Sequence, residues 1–340
     1  MLQPICAALA LLTLTTPLLH AQQDESEEIP TEERTEPPRR HVDPEIRLAL
    51  DWLRRHQRPD GLWAPIEEPA CGDATCNLGD TERSVLELSA LATSAILSDR
   101  IRDEPLFRRT LERASRALLR ELEAVPTPRD RGDRAGHFFA LLALLDLAEI
   151  TNRESLRVEL EPLLAAVDQQ HVERLNANEL YAWITLRWVR EMVRPQDRRP
   201  WERDEIHAAE ALLAASPEDL DLLALVALTR IFAGETPRSS ARLEELAESI
   251  GDERCPLLER EAPRTLDATL LRGFVAFQLG GHAFPPWKQA RQMPLRASQT
   301  REGCARGAWI FGPSGGDTSP QVLESTVLAT MILQVYYCYC

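Results

Sequence analysis

The sequence predicts an all-α fold of about six helical hairpins, twelve helices in all, on three observations. Beyond Asp43, apolar residues recur every three to four positions in one segment after another, as helices with a buried face require. The segments alternate between two kinds, one with a single apolar stripe and one apolar nearly all the way round. Six such pairs give about 50 residues per pair, a period within the range of helical-repeat architectures. Alternating exposed and buried helices build either an open superhelix or a closed ring with the buried helices inside, and periodicity does not separate the two.

Ahead of the helices, Ile5 to Leu19 is an apolar run too short to span a bilayer comfortably, and Leu19-His20-Ala21 offers a cleavage site before Gln22. Residues 1–21 are predicted to be a secretory signal, with an uncleaved anchor as the rival reading, and the protein is expected in the periplasm or cell envelope. No second apolar run reaches spanning length, so no transmembrane domain is expected after signal removal. Residues 22–43 are rich in Glu and Pro, lack aromatic residues and are expected to form a disordered leader. The helical repeats then fill 44–340.

Asp43-Pro44 supplies an N-cap and an N1 proline for a helix over 44–57. A more apolar helix over 80–98 follows, and Asp103 opens a third over 103–125. There Phe107, Leu111, Ala114, Leu118, Leu122 and Val125 form one stripe, with Arg108, Arg109, Glu112, Arg113, Arg116 and Glu123 opposite. The helix over 133–150 carries the run Phe138 to Leu147 and is predicted to be buried on most sides. Charged-faced and apolar helices continue to alternate over 154–172, 177–193, 200–215, 217–233, 238–251, 265–280, 286–298 and 319–337. Ser216-Pro217-Glu218-Asp219 and Ser319-Pro320 read as caps, and Gly280-Gly281 reads as a stop.

The 340 residues are 44% hydrophobic and 27% charged, which excludes a disordered chain and a multi-span membrane protein. Acidic residues number 54 against 39 basic ones, for a net charge of −15, and Lys288 is the sole lysine. An excess of negative charge disfavours binding to phosphate backbones, so no nucleic-acid partner is expected.

One loop carries a specific motif. Arg47, Trp52-Leu53, Gln57, Asp60-Gly61 and Trp63 stand as Arg-x4-Trp-Leu-x3-Gln-x2-Asp-Gly-x-Trp. A degenerate copy runs from Gln299 to Trp309 and keeps Gly307-x-Trp309. The tryptophans supply buried area, the glycine permits a tight turn, and the glutamine can satisfy backbone groups at a helix end. The motif resembles the QW repeat of the squalene-cyclase and prenyltransferase superfamily, and the tail after Gly280 looks like the last repeat of exported bacterial proteins of that type. The resemblance is strong over 44–97 and 273–337 and implies a closed α/α toroid. Closure would set the first hairpin beside the last, and on that ground a disulfide is expected between Cys304 and either Cys71 or Cys76.

Six cysteines remain after residue 21, which permits 15 connectivities. Cys71-Gly-Asp-Ala-Thr-Cys76 also resembles half of a zinc site, but no second closely spaced pair of ligands is visible, so disulfides or free thiols are preferred and no metal or cofactor is assigned.

The chemistry of the resembling enzymes is not evident in the sequence. The proton-donating Asp-x-Asp-Asp segment of alkene cyclases has its nearest match in Asp219-Leu220-Asp221-Leu222, which reads better as a helix cap. No Asp-x-Cys or Cys-His pair of the zinc-dependent toroid enzymes occurs. A glycosidase needs two opposed carboxylates, and so acidic a chain offers too many to name a pair. In a closed ring the starts of the inner helices converge, which makes Glu82, His137, Glu179, Tyr181, Trp183, Asp221 and Asp267 candidates for lining a central cavity. Against this, His137 reads more readily as a hydrogen-bonded structural histidine, and Tyr181 and Trp183 as core aromatics. The function expected is a non-catalytic binding or scaffold protein for a protein, peptide or lipid. The alternative is a terpenoid-cyclase-type or other toroid enzyme, acting on an isoprenoid or lipid through an acid at another position.

Overall fold

The computed structural model describes residues 43–64, 71, 73, 78, 79, 81, 83–125, 131–167, 175–193, 203–251, 263–279, 283–311 and 321–335. The signal 1–21, all of the leader but Asp43, and the expected signals Gly280-Gly281 and Ser319-Pro320 lie outside them. Among the described residues the regular structure is helical throughout, with no strand.

Among the described residues twelve α-helices follow one another: α1 (Pro44–Arg55), α2 (Val85–Leu97), α3 (Pro105–Ala124), α4 (Arg131–Thr151), α5 (Glu154–Val167), α6 (Ala177–Val193), α7 (Arg203–Ala215), α8 (Leu220–Phe232), α9 (Ala241–Gly251), α10 (Pro263–Leu279), α11 (Phe284–Ser298) and α12 (Val322–Gln334). Each even-numbered helix packs on the next, and α12 packs back on α2, so six inner helices form a closed ring. The odd-numbered helices surround it, α1 lying against both α12 and α2. This is the α/α toroid of six hairpins, and no helix among the described residues is long and apolar enough to cross a membrane.

The two kinds of helix occupy the two layers that their composition demands. In outer helix α3, Phe107, Leu111, Ala114, Leu118 and Leu122 are buried, and full burial of each large side chain contributes about 1.5–3 kcal/mol. Val125, assigned to the same stripe, is instead 51% exposed, because the helix has ended at Ala124. In inner helix α4, every residue from Phe138 to Ala148 is buried, Asp146 included.

Local chemistry moves several helix starts. The third helix begins at Pro105, not Asp103, since proline suits the first helical position and holds the preceding Glu104 extended. Residues Arg100–Asp103 form a separate 3-10 turn capped by Asp99. The cap expected at Ser216 is also displaced: Asp219 accepts from the amides of Asp221 (2.9 Å) and Leu222 (3.2 Å), and α8 begins after it. The second helix starts at Val85 rather than 80, because the Ser84 hydroxyl accepts from the Glu87 amide at 3.1 Å.

The seam between first and last hairpins is polar. Gln334 Nε2 donates to the Ala95 carbonyl at 2.8 Å, the Leu323 amide donates to Leu78, and Arg296 pairs with Asp43.

Candidate functional site

The two Gln-Trp loops are built alike. Gln57 Nε2 donates to the carbonyls of Gly61 and Thr110, and Gln299 Nε2 to those of Gly307 and Glu45. Trp63 Nε1 reaches the Leu53 carbonyl at 2.8 Å, and Trp309 Nε1 reaches Leu295 at 2.7 Å. Each glutamine therefore ties its own loop to the next outer helix, α3 in one case and α1 in the other. Gly61 and Gly307 sit at φ +100° and +98°, and a Cβ there would lie 2.4 Å from the Arg113 oxygen or 2.2 Å from the Leu48 oxygen. Only glycine allows both that backbone and that approach. With Trp52, Trp63 and Trp309 fully buried, these loops hold the ring together.

The starts of the inner helices converge on the ring axis and carry charge. Arg83, just before α2, is bonded to Glu87 on α2, to Asp267 on α10 and to Glu324 on α12, the last at 2.8 Å. Thr81 donates to the other oxygen of Glu324 at 2.8 Å, and Asn178 of α6 donates to Glu87 at 3.1 Å. Since α10 and α6 each lie two places from α2 in the ring, these contacts cross its middle. Arg83, Glu87 and Glu324 are nearly inaccessible, with side chains 9%, 4% and 5% exposed, and form a buried floor. Asp267 and Asp221 face solvent above it, 41% and 46% exposed, and Asp221 is ion-paired with Arg272 at 2.8 Å.

One arginine among three carboxylates leaves the floor short of positive charge, which favours retention of a proton. Burial pushes Asp267 up to about 6; Arg83 opposes the rise, while the negative charges of Glu324 and Asp221 add to it. Asp267 is thus desolvated by its surroundings although its side chain is two-fifths exposed. The Tyr181 phenol is likewise pushed up by burial and by Asp267, against Arg83, and stays a hydrogen-bond donor.

The remaining candidates divide. Glu179 is buried and structural: it accepts from the Asn176 amide, whose side chain caps it in return, and it pairs with Arg134 at 3.1 Å. Tyr181 meets Phe139 edge to face and lies with the axial charges, whereas Trp183 is buried with Arg187 over its ring at 5.5 Å. Aromatics two positions apart on a helix point about 200° apart, so one faces the axis and the other does not. His137 is buried, and desolvation lowers it to about 4. Its Nε2 has no hydrogen-bond partner among the described residues. Glu82 and Cys76 lie outside the described residues. Cys71 and Cys304 meet with sulfurs 3.2 Å apart. Arg83, Glu87, Glu324 and Arg272 were not anticipated, although polar residues in the first turns of Ser84-x2-Glu87 and Val322-Leu323-Glu324 stand out from otherwise apolar helices.

No family model and no curated protein matches the sequence. Among solved structures, the fold is similar to that of an inactive variant of the α-1,6-mannanase GH76A of Salegentibacter sp. HEL1_6 in complex with α-1,6-mannotetrose. The TM-score is 0.58 at 11% identity, over 86% of this chain and 98% of that one. The α-1,6-mannanase itself gives 0.55 at 11% identity, over 84% and 97%. A novel α-amylase from Clostridium perfringens gives 0.50 at 14%, over 86% and 97%. At such identities the likeness shows the fold, a helical toroid. None of these three is a squalene cyclase or prenyltransferase.

Proposed function

We propose that the protein is a glycan-cleaving toroid in which Asp267 donates a proton to the leaving oxygen and ion-paired Asp221 acts as base or nucleophile. The observation that carries this reading is the pair itself: two partly exposed carboxylates beside a buried charged cluster, Asp267 pushed up by burial in spite of Arg83, and Asp221 ion-paired with Arg272. In glycoside hydrolysis a carboxyl group raised by its surroundings serves as the acid, and a second carboxylate serves as base or nucleophile. The similar toroids named as an α-1,6-mannanase and an α-amylase support an α-linked glycan as substrate class. The mannanase variant is inactive with two consecutive aspartates replaced. This chain has no consecutive aspartates, so its pair is drawn from two helices.

An isoprenoid or lipid ligand, suggested by the QW resemblance, fits less well. The two equivalent Gln-Trp loops support that kinship, but an apolar chain seated over the Arg83–Asp267 and Asp221–Arg272 pairs would desolvate them without adding a hydrogen bond. A non-catalytic scaffold accounts for the ion pairs of Asp267 and Asp221 but not for their partial exposure. The apolar run Ile5 to Leu19 supports action outside the cytoplasm, in the periplasm or cell envelope.

The test is incubation of the purified chain with α-1,6-mannan, starch and other α-glycans, with chromatography of the products. Shortened oligosaccharides support the reading. A panel left intact, with no glycan retained by the protein, overturns it.

A further inference from the structure

A second cluster, apart from the axial carboxylates, brings together three residues with metal-ligand chemistry. His56 ends α1, Cys71 lies in the first loop and Cys304 in the loop before α12, and their ligand atoms all fall within 4.8 Å of one another. The Cys71 and Cys304 sulfurs are 3.2 Å apart, and Cys304 Sγ is 3.4 Å from His56 Nε2. From these positions we infer a zinc site with His56 Nε2 and the thiolates of Cys71 and Cys304 as protein ligands.

The imidazole is prepared for that role. Its Nδ1–H donates to the Trp52 carbonyl at 2.7 Å, which fixes the tautomer and leaves the Nε2 lone pair directed at the sulfur. The Trp52 ring stacks on it with centroids 4.1 Å apart, and His56 is fully buried. A zinc ligand whose other nitrogen is bonded to a backbone carbonyl is the usual supporting arrangement.

The separations favour a metal over a disulfide. Two thiolates on a tetrahedral zinc at about 2.3 Å lie about 3.7 Å apart, whereas bonded sulfurs lie about 2.0 Å apart. The observed 3.2 Å is nearer the first. A disulfide also has no proton to give the Nε2 lone pair, while a metal accepts it directly. Two cysteines with a histidine form the mixed sulfur and nitrogen set that suits zinc. On binding, each thiol releases one proton to solvent as its sulfur bonds the ion, with no oxidant or reductant involved. The ion would join residues 233 and 248 positions apart and lock the last hairpin to the first.

The test is elemental analysis of the full-length protein, before and after zinc addition and desalting, with thermal unfolding alongside. About one zinc per chain, at least a tenfold loss of it in Cys304→Ser and Cys71→Ser, and a melting temperature lowered by chelator and restored by zinc are expected. Cobalt in place of zinc should give a thiolate charge-transfer absorption that Cys304→Ser abolishes, with far-ultraviolet circular dichroism confirming that this variant folds. A Cys71–Cys304 cross-linked peptide in non-reducing maps of the untreated protein would overturn the site. So would zinc retained in Cys304→Ser, or a wild-type chain that takes up none.

Discussion

Arg83, at the start of α2, is bonded to Asp267 on α10 across the middle of the ring, and the same guanidinium holds Glu87 and Glu324. One cation thus links three of the six inner helices and forms the base of the proposed site.

Removal of that cation strands two buried carboxylates. Breaking a buried ion pair on one side costs about 3–5 kcal/mol, and Arg83→Met is expected to destabilise the protein by that order in chemical denaturation. Asp267→Asn, on the exposed side of the network, should cost far less. Equal losses in the two variants would contradict this division into a buried and an exposed side.

Asp267 should leave a mark on the pH dependence of stability. Its folded pKa is raised to about 6 from an ordinary 3.8, so it binds its proton more tightly folded than unfolded. The associated stabilisation is complete below about pH 4 and is lost as pH rises through about 6. Denaturation midpoints between pH 4 and 7.5 should therefore show this component in the wild type and lack it in Asp267→Asn. An unchanged profile in the variant would remove Asp267 as the titrating group.

The glycines of the last loop separate conformation from space. Gly307 has both a positive φ and a carbonyl in the path of a Cβ, whereas Gly303, at φ +65°, has open space. Gly307→Ala is expected to cost about 2–5 kcal/mol, combining left-handed strain with overpacking, and Gly303→Ala about 1–2 kcal/mol. Thermal or denaturant unfolding of the two variants gives the comparison.

His137 should remain neutral across the physiological range. Burial lowers it to about 4, so its stabilising contribution is present above its unfolded value near 6.5 and is lost as pH falls through about 4. Its imidazole resonances should stay fixed from pH 8 to pH 5, while an exposed histidine would titrate over that interval.

How much of this was legible depended on how local each signal was. The stripe from Phe107 to Leu122 and the Gln57–Trp63 loop declare themselves within a few residues, because helix period and turn chemistry are local, and the weaker Gln299–Trp309 copy is built in the same way. Asp221 and Asp267 were reachable as polar residues at the starts of inner helices. Their roles were not, because the arginine that organises the axis lies 184 and 241 positions from two of its partners. Trp183 is buried, as the core reading expected, while the choice between it and Tyr181 needed the rotation around the helix, which proximity to a helix start does not give. The zinc ligands escaped for the same reason as the axial charges: a search for two closely spaced pairs does not find His56, Cys71 and Cys304, which only ring closure brings together.

The most direct measurement of the central claim compares wild type, Asp267→Asn and Asp221→Asn on a glycan and on the matching aryl glycoside with an acidic phenol as leaving group. Such a phenol departs without protonation, so the acid is needed only for the glycan. Asp267→Asn should lose about 10²–10⁴-fold on the glycan and little on the aryl glycoside, while Asp221→Asn should lose activity on both. Equal activity of Asp267→Asn and wild type on the glycan would contradict the assignment.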